Sequence, residues 1–167
     1  MPANWLWVIG GILIAILAIT VVARLLNQVA TVSQRQDMIN RFNELHSIME
    51  SVCLQEVGNS RKTKFSVYDF VRVVYVSGTN EVVDKVMEKV KRKEMGSGDK
   101  LCLQFKDEDT PRCVELSCKA TMPYMGALPE YIDIKLFVKR LLGEPLVKDY
   151  TLSIEKVGGK EIEVVVE

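Results

Sequence analysis

Between Pro2 and Ala23 no side chain carries a charge, and from Trp5 to Ala23 the chain is almost wholly Leu, Ile, Val, Ala, Gly and Trp. At about 1.5 Å per residue this run rises about 28 Å, close to the roughly 30 Å of a bilayer's hydrocarbon layer. It is apolar on every side, with no polar stripe of the kind a surface helix needs. Trp5 and Trp7 stand where an interfacial aromatic belt would stand, and Arg24 closes the other end. The pattern predicts a transmembrane anchor over residues 1–24. A cleaved leader would have a basic start and a shorter apolar run, so the anchor is expected to be retained.

Beyond Arg24 the pattern becomes periodic. Leu25, Val29, Val32, Ile39, Phe42, Leu45, Met49 and Val52 recur in steps of three, four and seven, with no Gly or Pro between Gly11 and Gly58. That spacing lays one apolar face along a helix, opposite Arg35, Asp37, Arg41, Glu44 and Glu50. It predicts an amphipathic stalk helix over 25–58 that continues the anchor without a break. A head domain over 59–167 follows.

Within the head, Phe65 to Val76 is rich in Val, Tyr and Phe and reads as one or two strands. Asn80 is placed to cap a helix whose apolar face is Val82, Val83, Val86, Met87 and Val90, with Gly96-Ser97-Gly98 as its stop. Lys100–Phe105 and Arg112–Met122 read as a hairpin across Asp107-Glu108-Asp109-Thr110-Pro111. A second short helix is expected around Ile134, Phe137, Val138 and Leu141. Leu146–Val157 and Lys160–Val166 then form a C-terminal hairpin, in which Gly158-Gly159 suit the positive φ of a primed turn. The expected class is α+β: a transmembrane helix, a stalk, and a mainly antiparallel sheet with two further short helices.

Charge adds an exclusion. With 22 basic and 22 acidic side chains the net charge is zero, without the basic excess that draws proteins onto nucleic acid. The four cysteines, Cys53, Cys102, Cys113 and Cys118, are an even number in a small domain and read as disulfide candidates. Three pairings are possible, and a bridge from Cys53 to a sheet cysteine would pin the stalk to the head. Disulfides favour an oxidising compartment and so an extracytoplasmic head, against a slight positive-inside bias from Arg24 and Arg35. Zinc competes only through Cys113-x4-Cys118, the other two cysteines being scattered, so no metal or cofactor is expected.

Other chemistry is thin. The single histidine, His46, reads as a half-exposed helix residue, and without a G-x-S-x-G elbow no Ser-His-Asp hydrolase is indicated. No catalytic residue is assigned and no enzyme is expected. Surface contact is the remaining candidate. Ile39 and Phe42 on the stalk stripe, and Tyr124 and Met125 on the Met122–Tyr131 loop with its two prolines, are the candidate partner-binding residues.

The layout resembles the type IV pilin-like group, in which an apolar N-terminal helix runs into an amphipathic stalk bearing a β-rich, often disulfide-bonded head. The resemblance covers residues 5 to about 55. Before the apolar stretch there is no basic residue with a small-residue processing site, and no early glutamate stands in the helix. The resemblance implies a subunit whose helix both anchors it in the bilayer and packs against other subunits. The expected function is a membrane-anchored structural or interaction module of a cell-envelope assembly, with a protein partner or self-association. The alternative is a membrane-tethered thiol or metal protein using the head cysteines.

Overall fold

The computed structural model describes residues 3–78, 95–126 and 146–167, apart from the side chains of 3–6 and 23–31. The two short helices expected near Val82–Val90 and Ile134–Leu142 lie outside the described residues. The chain divides into two compact units, Met1–Asp37 and Met38–Glu167. One helix, α1 (Ala3–Cys53), supplies the first unit and the beginning of the second.

Between Trp7 and Val22 the helix carries no charged side chain and only Thr20 is polar. Eleven large side chains between Trp7 and Val22 are 52 to 83 % exposed. The single-pass anchor expected here is corrected. Among the described residues no helix is long and apolar enough to cross a membrane. The fold class therefore loses its transmembrane element, and the single-pass membrane placement with an extracytoplasmic head goes with it.

In the second unit the periodic stripe finds its partner. Met38, Phe42, Leu45, Met49 and Val52 are all buried, stepping by four and three so that they share one face. They meet a seven-stranded sheet formed by β1 (Ser60–Tyr68), β2 (Val71–Ser77), β3 (Met95–Phe105), β4 (Arg112–Pro123), β5 (Met125–Gly126), β6 (Val147–Gly158) and β7 (Glu161–Val166). Alternation puts Phe65 and Val67, Leu101 and Leu103, Leu116 to Met122, Leu152 and Ile154, and Ile162 and Val164 on the side facing the stripe. α1 ends at Cys53, five residues before Gly58, and a tight loop with Gly58 at φ 91° leads into β1.

The strand order is β1-β6-β7-β4-β3-β2-β5. All neighbours are antiparallel except β4 and β7, which run parallel over Lys119–Thr121 and Glu161–Glu163. β1 and β2 are separated only by Asp69-Phe70, yet they are not partners. β1 lies at one edge and β2 next to the other, so the sheet must curl for a two-residue turn to join them. A stack of Tyr68 on Phe70 (5.2 Å) and Phe70 on Phe105 (6.0 Å) closes that join.

Two glycine expectations change. Gly96-Ser97-Gly98 is no helix stop but part of β3. A Cβ on Gly98 would lie 1.9 Å from the Ser77 carbonyl carbon, and one on Gly96 2.6 Å from the Val76 carbonyl oxygen. The glycines let the end of β2 cross β3 at backbone contact. At the C-terminal hairpin, Gly158 belongs to β6 opposite Glu161 beside a register shift, and neither it nor Gly159 has a positive φ.

Candidate functional site

The best-built cluster of polar groups joins α1 to β4. Around Asp99 the pairing of β3 with β4 slips from Gly98↔Ala120 to Lys100↔Glu115. On its other side β4 meets β7 only over Lys119–Thr121. Ser117 therefore has no strand partner in either pairing, and its backbone groups must be satisfied from outside the sheet. α1 supplies what the sheet does not. Glu50 accepts from the Ser117 N–H and from the Ser117 hydroxyl, each at 2.6 Å, and His46 Nε2 donates to the Glu115 carbonyl oxygen at 2.9 Å. Next along the same helix face, Cys53 is bonded to Cys118. Residues at i, i+4 and i+7 of the helix thus meet three positions of one irregular strand.

The C-terminus of α1 is held from a second side. Lys156, 3 % exposed, donates its ammonium to the Cys53 carbonyl oxygen. A cation at the carbonyl end of a helix satisfies an orphan acceptor and opposes the helix dipole. The loop that follows is tied to β6 by Gly58 N–H to Lys156 O (2.9 Å) and Lys156 N–H to Asn59 O (3.0 Å).

This seam fastens; it is not arranged for nucleophilic attack. Glu50, not the imidazole, contacts the Ser117 hydroxyl, while His46 Nε2 spends its proton on a main-chain carbonyl and lies 4.0 Å from Glu50. A nucleophilic serine needs the reverse order, with the imidazole on the hydroxyl and the carboxylate behind it. Among the described residues no group of three His, Cys, Asp or Glu could hold a metal ion. A cleft beside Arg41, Glu44, Thr63 and Lys64 encloses about 30 Å³, room for a water.

All four cysteines are bridged, Cys53 to Cys118 and Cys102 to Cys113, so the helix is linked to the sheet as the sequence suggested. The four residues nominated for partner contact are placed differently. Phe42 (3 % exposed) and Met125 (1 %) belong to the core of their own domain, and Ile39 packs part-buried against it. Tyr124 stacks on Tyr75 with ring centroids 5.7 Å apart. None of the four is brought to an open surface. The longest run of open apolar side chains among the described residues lies on α1 from Trp7 to Val22, among them Trp7 (83 %), Ile14 (69 %) and Ile19 (69 %), while Val32, Leu54, Val57 and a few strand residues are open singly.

Sequence reasoning missed Glu50, Ser117 and Lys156. For Glu50 the signal was available: it is i+4 from the lone histidine and i−3 from a cysteine, on the same side of a helix. Ser117 and Lys156 matter through a strand irregularity and a helix end that no local pattern marks. No family model, curated protein or solved structure matches the chain.

Proposed function

We propose that the chain is a structural or interaction subunit of a larger assembly, with no catalytic role, and that copies of it contact one another through the apolar run of α1. The observation that carries this reading is the set of eleven large apolar side chains, more than half exposed, between Trp7 and Val22. Completing the burial of a half-exposed Val, Leu or Ile is worth on the order of 1 kcal/mol, so the run holds roughly 10 kcal/mol of unrealised association energy. Because the exposed side chains surround the helix, one flat partner covers only part of them. Several neighbours suit the run better, in keeping with the pilin-like layout. The two disulfides favour an oxidising compartment for such an assembly.

The test is sedimentation and chemical crosslinking of the full chain as detergent is diluted away. Wild type is expected to form a discrete, concentration-dependent oligomer. The double variant Ile14→Asp/Leu17→Asp, which puts two unpaired charges into the contact, should remain monomeric with an unchanged thermal transition of the head. A wild-type chain that stays monomeric would overturn the proposal, as would a double variant that assembles as well as wild type.

A further inference from the structure

We infer that the Cys102–Cys113 bridge is a thiol-exchange site, opened at the Cys113 sulfur by a soluble dithiol, while Cys53–Cys118 is the permanent fastening. The two bridges differ in access. Cys53 (8 % exposed) and Cys118 (5 %) both belong to the main core, so neither sulfur can be reached without disturbing the helix–sheet packing. Cys102 is 2 % exposed, but Cys113 is exposed on the outer face of β4. An attacking thiolate must approach one sulfur of the bridge, and of the four only that of Cys113 lies on an exposed residue.

They differ also in what their opening releases. Cys102 and Cys113 are directly opposed in the β3–β4 ladder, with Cα atoms 4.1 Å apart and a sequence separation of only 11. The pairs Leu101↔Val114 and Leu103↔Arg112 flank them and stay paired when the bridge opens. Cys53–Cys118 spans 65 positions and joins a helix to the sheet. Opening it frees a long segment of chain; opening Cys102–Cys113 frees almost none.

The exchange balances as follows. One thiolate of the dithiol attacks the Cys113 sulfur, the S–S bond breaks, and its electron pair leaves on the Cys102 sulfur, which takes up a proton. The second thiolate of the dithiol attacks the reagent's own sulfur in the mixed disulfide. A cyclic disulfide forms, and Cys113 departs as the thiolate and takes up the second proton. Two electrons and two protons have then passed from the dithiol to the protein. The Cys102 thiol is left among Val73, Tyr75 and Tyr124, out of reach of the reagent and facing Cys113 across the ladder. Reclosure therefore needs an oxidant but no rearrangement of the strands.

The full chain would be treated under native conditions with graded dithiothreitol, quenched with iodoacetamide in denaturant so that every freed thiol is labelled, and mapped by peptide mass spectrometry. Alkylation is expected at Cys102 and Cys113 while Cys53–Cys118 stays closed, with rates separated by at least about tenfold. With the monothiol glutathione the trapped adduct should sit on Cys113 and not on Cys102. The partly reduced protein should keep a single cooperative thermal transition. Opening of Cys53–Cys118 first or at the same rate, a glutathione adduct on Cys102, or loss of the transition would each overturn the assignment.

Discussion

Removing the buried bridge, as Cys53→Ala/Cys118→Ala, should be the most damaging way to break a single covalent link in this protein. In the chain-entropy description a bridge stabilises by restricting the unfolded chain, in proportion to the logarithm of the loop it closes. For the 65-position separation of Cys53 and Cys118 that gives roughly 4 kcal/mol at 25 °C. The separation of 11 between Cys102 and Cys113 gives roughly 3 kcal/mol. The native side adds to the contrast: both sulfurs of the first bridge are in the core, and alanine leaves a small void at each. A loss of about 4 kcal/mol is a large share of the roughly 5 to 15 kcal/mol that holds a domain of this size. The assay is urea unfolding of the full chain, with a mild detergent covering the exposed part of α1, comparing wild type, this double variant and Cys102→Ala/Cys113→Ala. The expected ranking is wild type, then the Cys102/Cys113 variant, then the Cys53/Cys118 variant, separated in the last step by about 1 kcal/mol or more. If the Cys102/Cys113 variant proves the less stable, or if the loss at Cys53/Cys118 is under about 1 kcal/mol, the stapling argument fails.

Gly98→Ala should cost about 3 kcal/mol or more by the same unfolding assay, because its Cβ would meet Ser77 backbone at 1.9 Å. Gly159→Ala, with nothing within 4 Å, should change stability by no more than about 0.5 kcal/mol, and equal losses at the two sites would remove the case for close strand crossing. Glu50→Ala strands the Ser117 N–H and hydroxyl and should cost about 1 to 3 kcal/mol, with faster hydrogen exchange at the Ser117 amide. An unchanged exchange rate there would mean that the amide does not depend on the carboxylate.

What could be read from the sequence was what local period and turn chemistry govern. The stripe of Phe42, Leu45, Met49 and Val52, the β3–β4 hairpin across Asp107–Pro111 and the C-terminal pair of strands all follow from spacing and breakers. The tie from Cys53 to the sheet followed from the need to pin a helix end. Three things did not follow. Gly96 and Gly98 look like a helix stop, because a glycine that admits a crossing strand and a glycine that ends a helix are the same letter. His46 reads as bland until the fold brings the Glu115 carbonyl oxygen within 2.9 Å of its ring. Phe42 and Ile39 were placed on a shared surface because a continuous apolar phase does not reveal where its partner changes. The structure closes the sheet over that phase from Met38 onward.

The pairing of β1 with β6 also bears on how the protein is made. Ser60 aligns with Glu155 and Tyr68 with Val147, so the first strand to leave the ribosome can pair only with one made some ninety residues later. That edge of the sheet cannot form until β6 has been made. Contacts this distant in sequence slow folding, and meanwhile a nine-residue strand is open to other nascent chains. Arg61, Lys62 and Lys64 give that waiting strand like charges, which repel a second copy of the same segment until β6 arrives.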